Sequence, residues 1–416
     1  MQKNISTRLV IYLLIFFSFF PYIQFVPLGT DSQPYALAVA LLILPFCFKS
    51  KMKINLAYLF YIFLFAVLVI VISTLSFNSI RSLVNYVTLF VVTYTTYFSL
   101  RRIKGIPYIL FKYTVYIWFF VGTIQTFINP NFLTFLLPRG VSEGLIASGR
   151  GIIGLAPEPT FYGMICLIFG MMAYLNFNDK KDIKKIYILL TIQIFIYSRS
   201  SLTIFILASA FCLYIGIKLF KQNGIKTFFV FCMFTTLFYY LINMENSFLT
   251  SFRVGALFRI FMNNPELFFT LDESVNERFV HVFFPTYGFL DNWALPNGYG
   301  HFTHFFEDCK KNSDINYLIS DYVYKKEATR IMSGLGSILF ELGVIGLLLL
   351  KVVSNLCLNV LNGYSRYILF FIFICILMNA IPFSNPLIPF FIGNLMYLKS
   401  IKKKSNANII TAKCNV

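Results

Sequence analysis

Charged residues are scarce in this 416-residue chain, and acidic residues are scarcer than basic ones. Charged side chains make up 12% of the residues, with 17 aspartates and glutamates against 35 lysines and arginines, and there are three histidines. Soluble globular domains carry about 25% charged residues. So small a charged fraction excludes an ordinary water-soluble enzyme or binding domain.

Long apolar runs take the place of the missing charge. Hydrophobic residues make up 58% of the chain, including 51 phenylalanines. A helix needs about 17 to 25 apolar residues to cross roughly 30 Å of hydrocarbon. Runs of that length recur along the sequence, without the alternating polarity of barrel strands. The sequence therefore predicts an all-α polytopic membrane protein.

Twelve apolar runs are predicted to be membrane-spanning helices. They lie near residues 9–27, 35–48, 54–75, 80–100, 106–128, 160–177, 186–199, 201–217, 227–243, 333–350, 367–383 and 387–398. This placement divides the chain into three regions. Residues 1–243 hold nine spans, residues 244–332 form a large segment between spans, and residues 333–416 hold three spans and a basic tail.

Basic residues cluster in short segments that all fall on one side of the predicted bundle. The clusters are Lys49, Lys51 and Lys53; Arg101, Arg102 and Lys104; Lys180, Lys181, Lys184 and Lys185; Lys218, Lys221 and Lys226; and Lys402, Lys403 and Lys404. By the positive-inside rule this side is the cytoplasm. We therefore expect a bacterial inner-membrane protein with both termini cytoplasmic and with residues 129–159 and 244–332 periplasmic. The formal charge of +18 then orients the chain in a lipid bilayer and does not indicate a nucleic-acid partner.

The segment from Met244 to Met332 is predicted to be a folded helical subdomain, because it holds 11 of the 17 acidic residues together with 8 basic ones. Asp272 and Asp314 are predicted to cap two of its helices. The predicted apolar stripes are Val275, Phe279, Val282 and Phe283 on the first helix, and Ile315, Leu318, Ile319 and Tyr322 on the second.

The first periplasmic segment places Arg150 and Glu158 at the start of the sixth span, where Pro159 suits the first helical turn. A carboxylate at a helix N-terminus stays ionised, which suits either a general base or an arginine partner. The alternative is that Glu158 only caps the helix.

Arg199 lies where the seventh and eighth predicted spans meet at the periplasmic face. An arginine so close to hydrocarbon is costly and indicates a function or a specific partner. A guanidinium binds phosphate oxygens through paired hydrogen bonds, so Arg199 is a candidate diphosphate clamp. The alternative is a snorkelling arginine in a tight turn.

On the helix after Asp272, the residues Glu277, Arg278 and His281 share one face at spacings of three and four. This face offers a base and a phosphate-binding cation together, unless it is an ordinary solvated helix face. Arg253, Arg259 and Arg330 are weaker candidates for substrate binding in the same subdomain.

Other polar and aromatic residues leave alternatives open. Glu341, inside the tenth span, either pairs with a periplasmic arginine or stays protonated. His301 and His304 lack the glutamate between them that a zinc protease motif requires, so no metal site is predicted. Six aromatic residues suit either stacking on sugars or anchoring at the membrane surface, namely Phe283, Phe284, Tyr287, Trp293, Tyr299 and Phe302.

Four short stretches, taken in order within the many-span layout, carry a family resemblance. They are residues 151–163 (GIIGLAPEPTFYG), 198–201 (SRSS), 276–278 (NER) with 296–300 (PNGYG), and 340–346 (FELGVIG). In these stretches the chain resembles the O-antigen polymerase (Wzy) family and, more distantly, the O-antigen ligases. The ligases carry a functional histidine shortly before the late span, where this chain reads EATRIMSG at residues 327–334. That departure favours a polymerase.

The resemblance implies a glycosyltransferase that needs neither metal nor other cofactor. Such an enzyme moves a growing glycan from undecaprenyl diphosphate onto a new lipid-linked repeat unit at the periplasmic face, and a chain-length regulator is a further expected partner. The resemblance implies that Arg199 and Arg278, and more weakly Arg150, hold the diphosphate. Glu158 and His281 are the candidate bases.

Two other functions stay open beside the polymerase and the ligase. A flippase or other transporter of lipid-linked oligosaccharides would place polar groups in spans from both halves of the chain. Here the ionisable residues concentrate in one periplasmic segment and at span ends. A non-enzymatic membrane scaffold would tolerate the loss of single periplasmic arginines.

Overall fold

The computed structural model describes residues 2–26, 30–47, 54–73, 76–138, 151–222, 224, 232–233, 236, 268–326, 330–379 and 381–414. Within these ranges the chain is helical, and no β-strand occurs. The helices are α1 (Gln2–Phe19), α2 (Tyr35–Ile43), α3 (Ile54–Val69), α4 (Phe77–Ile103), α5 (Tyr108–Phe127), α6 (Pro159–Phe177), α7 (Ile183–Ile192), α8 (Ser201–Gln222), α9 (Phe268–Leu271), α10 (Glu273–Asp291), α11 (Phe302–Lys311), α12 (Asp321–Lys325), α13 (Gly334–Leu342), α14 (Leu347–Val360), α15 (Ser365–Met378) and α16 (Leu387–Cys414).

Five helical stretches of the described chain are long and apolar enough to cross a membrane: Ile54–Ile72, Phe77–Ile103, Pro159–Phe177, Ser201–Lys221 and Gly334–Val360. Shorter apolar helices lie at Thr7–Phe19, Tyr35–Phe46 and Ser365–Met378. Helices overlap eleven of the twelve predicted span positions, while the range 227–243 lies almost wholly outside the described residues. The all-helical prediction is thus confirmed, and the number of twelve spans stays a prediction.

Helix α4 lies at the centre of the bundle, packed against α2, α3 and α16. In α4, 72% of the apolar stretch is buried inside the protein, compared with 17% in the peripheral helix α8. The crossing with α16 is close because Gly393 has no side chain, and a Cβ there would lie 2.8 Å from the Thr93 carbonyl oxygen. The Thr93 hydroxyl donates to the Pro389 carbonyl at 3.0 Å across the same crossing. Small and hydroxyl-bearing residues of this kind allow close packing of apolar helices.

Several helix ends that carry the basic clusters contact one another. Lys112, in the first turns of α5, pairs with Asp182 just before α7 at 2.8 Å. Lys402 of α16 donates to Asn362, which follows α14, at 2.8 Å. At the same end of α14, Asn355 donates to Asn55 at the start of α3. These contacts agree with the prediction that the basic segments share one side of the bundle.

Helix α10 begins as predicted, since the Asp272 carboxylate accepts a hydrogen bond from the Val275 amide at 3.0 Å. The predicted apolar stripe of this helix is wrong: Val275, Phe279, Val282 and Phe283 are only partly buried. The buried residues of α10 are Asn276, Val280, His281, Phe284, Pro285, Gly288 and Phe289. Their face packs on α13 and on the segment before α12, which draws a polar residue, Asn276, into the interior.

The prediction that Asp314 caps a helix is also wrong. Residues Asn316–Leu318 form a single 3-10 turn, and Ser320 caps the short helix α12 through the Val323 amide. The physical reason lies in Asn276, whose side chain donates to the Leu318 carbonyl at 2.8 Å and accepts from the Ser320 amide at 3.0 Å. These long-range bonds satisfy backbone groups that a longer helix would have paired internally.

The stretch from Ala294 to Gly300 anchors the subdomain to the bundle. The Tyr299 hydroxyl donates to the Ala66 carbonyl of α3 at 2.6 Å, and its amide donates to Ser73 at 2.7 Å. Gly343 approaches the same stretch with a φ of +60°, and a Cβ there would lie 2.5 Å from the Ala294 carbonyl oxygen. Only glycine adopts this backbone at such close range without strain.

Burial decides the role of several predicted aromatic residues. The side chains of Tyr299 and Phe284 are fully buried in the protein and are not open to stack on a sugar. Trp293 is 88% exposed, which suits contact with a membrane surface.

Asn276→Ala is expected to lower the free energy of unfolding by about 2 kcal/mol, because it leaves the partly buried Leu318 carbonyl and the buried Ser320 amide without their partner. The thermal unfolding midpoint of the detergent-purified protein measures the effect. Asn316→Ala is the matched control, since Asn316 is an exposed asparagine of the same subdomain. Equal midpoints for the two variants would contradict this account of the fold.

Candidate functional site

A single polar cavity of about 660 Å³ gathers residues that are far apart in the sequence. Its walls come from the starts of α4, α6, α8 and α13, from the ends of α1 and α7, and from α10. These are the helix ends opposite to the basic clusters. The charged residues of its lining are Asp31, Arg81, Glu158, Arg199, Glu273, Glu277, Arg278, Lys326, Arg330 and Glu341.

The loop before α6 is held tightly against the turn that carries Arg199. The Ile152 amide donates to the Tyr197 carbonyl at 2.9 Å, and a Cβ on Gly151 would lie 2.1 Å from the Ser198 carbonyl oxygen. Gln125 of α5 pairs with both the amide and the carbonyl of Gly154, at 2.8 and 2.9 Å. The short loop is therefore fixed on both sides, and it positions Glu158 at the cavity.

Glu158 precedes Pro159, which opens α6 as predicted, but the Glu158 side chain makes no capping hydrogen bond. Its carboxylate instead lies 3.9 Å from the guanidinium of Arg278. Arg278 also donates to the Thr160 hydroxyl at 3.0 Å. The two candidate residues thus meet, and the arrangement favours an arginine partner for Glu158 over a helix cap.

Arg199 is an exposed cation at the cavity. It follows a π-helical turn, Gln193–Ser198, and has a left-handed backbone with a φ of +43°. Such strain in a non-glycine residue and such π-turns are concentrated at functional sites. The Arg199 Nε donates to the Ile196 carbonyl at 3.0 Å, and no carboxylate of a described residue lies within 4.0 Å of the guanidinium.

His281 lies on the same wall as Arg278 but is only 6% exposed, so the alternative of a solvated helix face is wrong for this residue. Its Nδ1 has no hydrogen-bond partner within the described structure. Burial lowers the pKa of His281 to about 4, a shift that Glu277 opposes and that Lys326 and Arg330 reinforce. The imidazole is therefore neutral at pH 7.

The remaining predicted residues divide into two groups. Arg330 lines the cavity and pairs with Asp31 at 3.4 Å, and Glu277 pairs with Lys326 at 2.5 Å. Arg150, Arg253 and Arg259 lie outside the described residues.

One wall of the cavity was not foreseen from the sequence. Asn78, Arg81, Ser82 and Asn85 of α4 all line it, at the spacing i, i+3, i+4, i+7 of a single helix face. That spacing of polar residues at the start of an apolar span was the available signal. Glu341 of α13 faces this stripe and accepts hydrogen bonds from the hydroxyls of Ser82, at 2.8 Å, and Tyr86.

The two other histidines take part in no metal cluster. His301 and His304 belong to the start of α11, where Glu307 pairs with Lys310 at 2.6 Å. Among the described residues, no three histidine, cysteine or acidic side chains are grouped to hold a metal ion.

Comparisons with protein-family models, with curated proteins and with solved structures gave no match to this chain.

The free energy of unfolding is expected to fall as the pH drops from about 6.5 to 4. In that window the unfolded chain protonates His281 while the native protein does not, so stability rises with pH and the loss reaches roughly 3 kcal/mol at pH 4. Unfolding midpoints of the parent and of His281→Gln, measured across this range, check the effect, and the variant should show a shallower dependence. The exposed His304 serves as control through His304→Gln, and an equal pH dependence in parent and His281→Gln would refute the assignment.

Proposed function

We propose that this chain is a surface-polysaccharide polymerase that transfers a growing glycan from undecaprenyl diphosphate onto a new lipid-linked repeat unit. The observation that carries the proposal is the cavity in which Arg199, Arg278, Glu158 and His281 meet. These are the residues to which the resemblance to O-antigen polymerases assigns the chemistry. They come from three separate parts of the sequence.

In the proposed reaction, a hydroxyl oxygen of the acceptor sugar attacks the anomeric carbon of the donor glycan. The bond between that carbon and the diphosphate oxygen breaks, and undecaprenyl diphosphate leaves with the electron pair. Negative charge grows on the leaving group, so a guanidinium held at the diphosphate stabilises the transition state. Arg199 suits this task because no carboxylate of a described residue neutralises it.

The proton of the attacking hydroxyl passes to a base. Of the two candidates, we assign this role to His281, since it lines the cavity and is neutral at pH 7. Glu158 then has a positioning role, because its carboxylate lies beside Arg278. In that role it helps to orient the second guanidinium toward the cavity.

The proposal includes a membrane arrangement. Twelve spans, cytoplasmic termini and a bacterial inner membrane would place the cavity at the periplasmic face, where lipid-linked repeat units are polymerised. The clustering of basic residues at the helix ends opposite to the cavity supports this orientation. The substrates would enter from the lipid bilayer, with a chain-length regulator as an additional protein partner.

The competing functions make different demands on the cavity. A flippase requires a polar path that opens toward both sides of the membrane. The polar lining described here is confined to one set of helix ends. An O-antigen ligase, the nearest enzymatic alternative, would use the same kind of donor but would join the glycan to a different acceptor.

Arg199→Ala is expected to reduce polymerisation at least about 100-fold, because it removes a cation from the developing charge of the leaving group. The variant and the parent are expressed in a host that lacks its own polymerase and carries the cognate repeat-unit genes. The surface glycan is then resolved as a ladder on a gel. The parent should give a ladder, and the variant should give single repeat units.

Lys311→Ala is the matched control, since Lys311 is an exposed cation that does not line the cavity. It should give the ladder of the parent at equal protein level. A parent that attaches only single repeat units would contradict polymerisation and point to a ligase. If the chain is needed for glycan to reach the cell surface but not for joining repeat units, the result would point to a flippase.

A further inference from the structure

The wall formed by α4 and α13 carries one arginine, Arg81, and differs from the wall of Arg199 and Arg278 in its amide, hydroxyl and carboxyl groups. Asn78, Ser82 and Asn85 line the cavity on one face of α4, and Glu341 of α13 lies against them. The groups are two amides, a hydroxyl and a carboxyl, at the start of a helix that is otherwise long and apolar. Polar groups in such a position are costly unless they serve a partner or a ligand. We call these four residues the polar wall.

Glu341 keeps hydrogen-bonding capacity for a ligand. A carboxylate offers about four acceptor positions, and the hydroxyls of Ser82 and Tyr86 occupy one on each oxygen. No lysine or arginine of the described residues lies within 4.0 Å of it. The side chain is 6% exposed and borders the cavity, so its remaining acceptor positions face a confined polar space.

The amides of Asn78 and Asn85 add groups that both donate and accept hydrogen bonds. Both side chains are partly buried at the cavity, and neither has a hydrogen bond within the described structure. Arg81 lies in the same stripe but already takes part in an interaction within the protein.

The class of ligand follows from this combination. Because no lysine or arginine of the described residues lies within 4.0 Å, the Glu341 carboxyl offers a diphosphate no ion-pair partner. Sugar hydroxyls both donate and accept hydrogen bonds, and they match closely spaced carboxylate, hydroxyl and amide groups. A neutral polyol is thus the ligand whose chemistry fits this surface.

We propose that the polar wall is a saccharide-binding subsite, separate from the arginines that bind the diphosphate. The subsite itself follows from the side chains of the wall, while its assignment to the acceptor repeat unit rests on the proposed function. Within that function the polar wall holds the acceptor sugar, and Arg199 and Arg278 hold the donor diphosphate. The choice of sugar then depends on α4 and α13.

The test separates the two walls by their ligands. The detergent-purified protein is titrated by calorimetry with the oligosaccharide released from the lipid-linked repeat unit of its host, and in a second series with inorganic pyrophosphate. Asn85→Ala and Glu341→Gln should weaken oligosaccharide binding about tenfold each, since each removes about 1.4 kcal/mol of hydrogen bonding. Both should leave pyrophosphate binding unchanged. Arg199→Ala should show the reverse pattern.

Asn359→Ala is the matched control, because Asn359 is exposed at the far end of α14 and does not line the cavity. Unfolding midpoints establish that each variant is folded. If Glu341→Gln is unfolded, because it alters a buried residue, the conclusion is drawn from Asn85→Ala alone. The subsite is refuted if the parent does not bind the oligosaccharide, or if folded Asn85→Ala binds it as the parent does. If the parent binds the oligosaccharide more tightly than Asn85→Ala does but makes no ladder, the subsite is supported and the proposed polymerase function is refuted.

Discussion

The cost of placing a charge in hydrocarbon constrains where ionisable residues can lie on the long apolar helices of this protein. Such a charge must find a counter-ion, a set of hydrogen bonds or a water-filled space. The cavity meets this requirement for ten charged residues at once, because it joins helix ends that would otherwise expose each charge separately. The apolar bundle and the polar cavity therefore depend on one another.

The same constraint explains how the residues after α9 are attached to the bundle. Three charge pairs reach into the cavity: Arg278 with Glu158, Arg330 with Asp31, and Lys326 with Glu277. The first two connect this segment to α6 and to the residues before α2. Each of these pairs is worth little where water screens it, but together they align the wall that carries His281. The position of His281 in the candidate site therefore depends on how this segment packs against the rest of the bundle.

Local signals in the sequence were sufficient for part of this structure. Asp272 caps α10 and Pro159 opens α6, because both effects involve only the neighbouring residues. The buried face of α10 and the turn near Asp314 were predicted wrongly, since Asn276 binds backbone groups more than forty residues away. The contact between Arg278 and Thr160 spans 118 residues, and no local pattern encodes it. The candidate residues could be proposed one by one, whereas their meeting in one cavity required the fold.

The attachment of Tyr299 to α3 has a consequence for protein engineering. Its ring lies against Tyr86 of α4, next to the carboxyl of Glu341, and its hydroxyl binds the Ala66 carbonyl. Transplanting residues 268–326 into another bundle would therefore leave the Tyr299 hydroxyl without its acceptor and would disturb the packing of Tyr299 beside Glu341. A functional chimera needs to exchange the C-terminal half of α3 and the start of α4 together with that segment, as one unit.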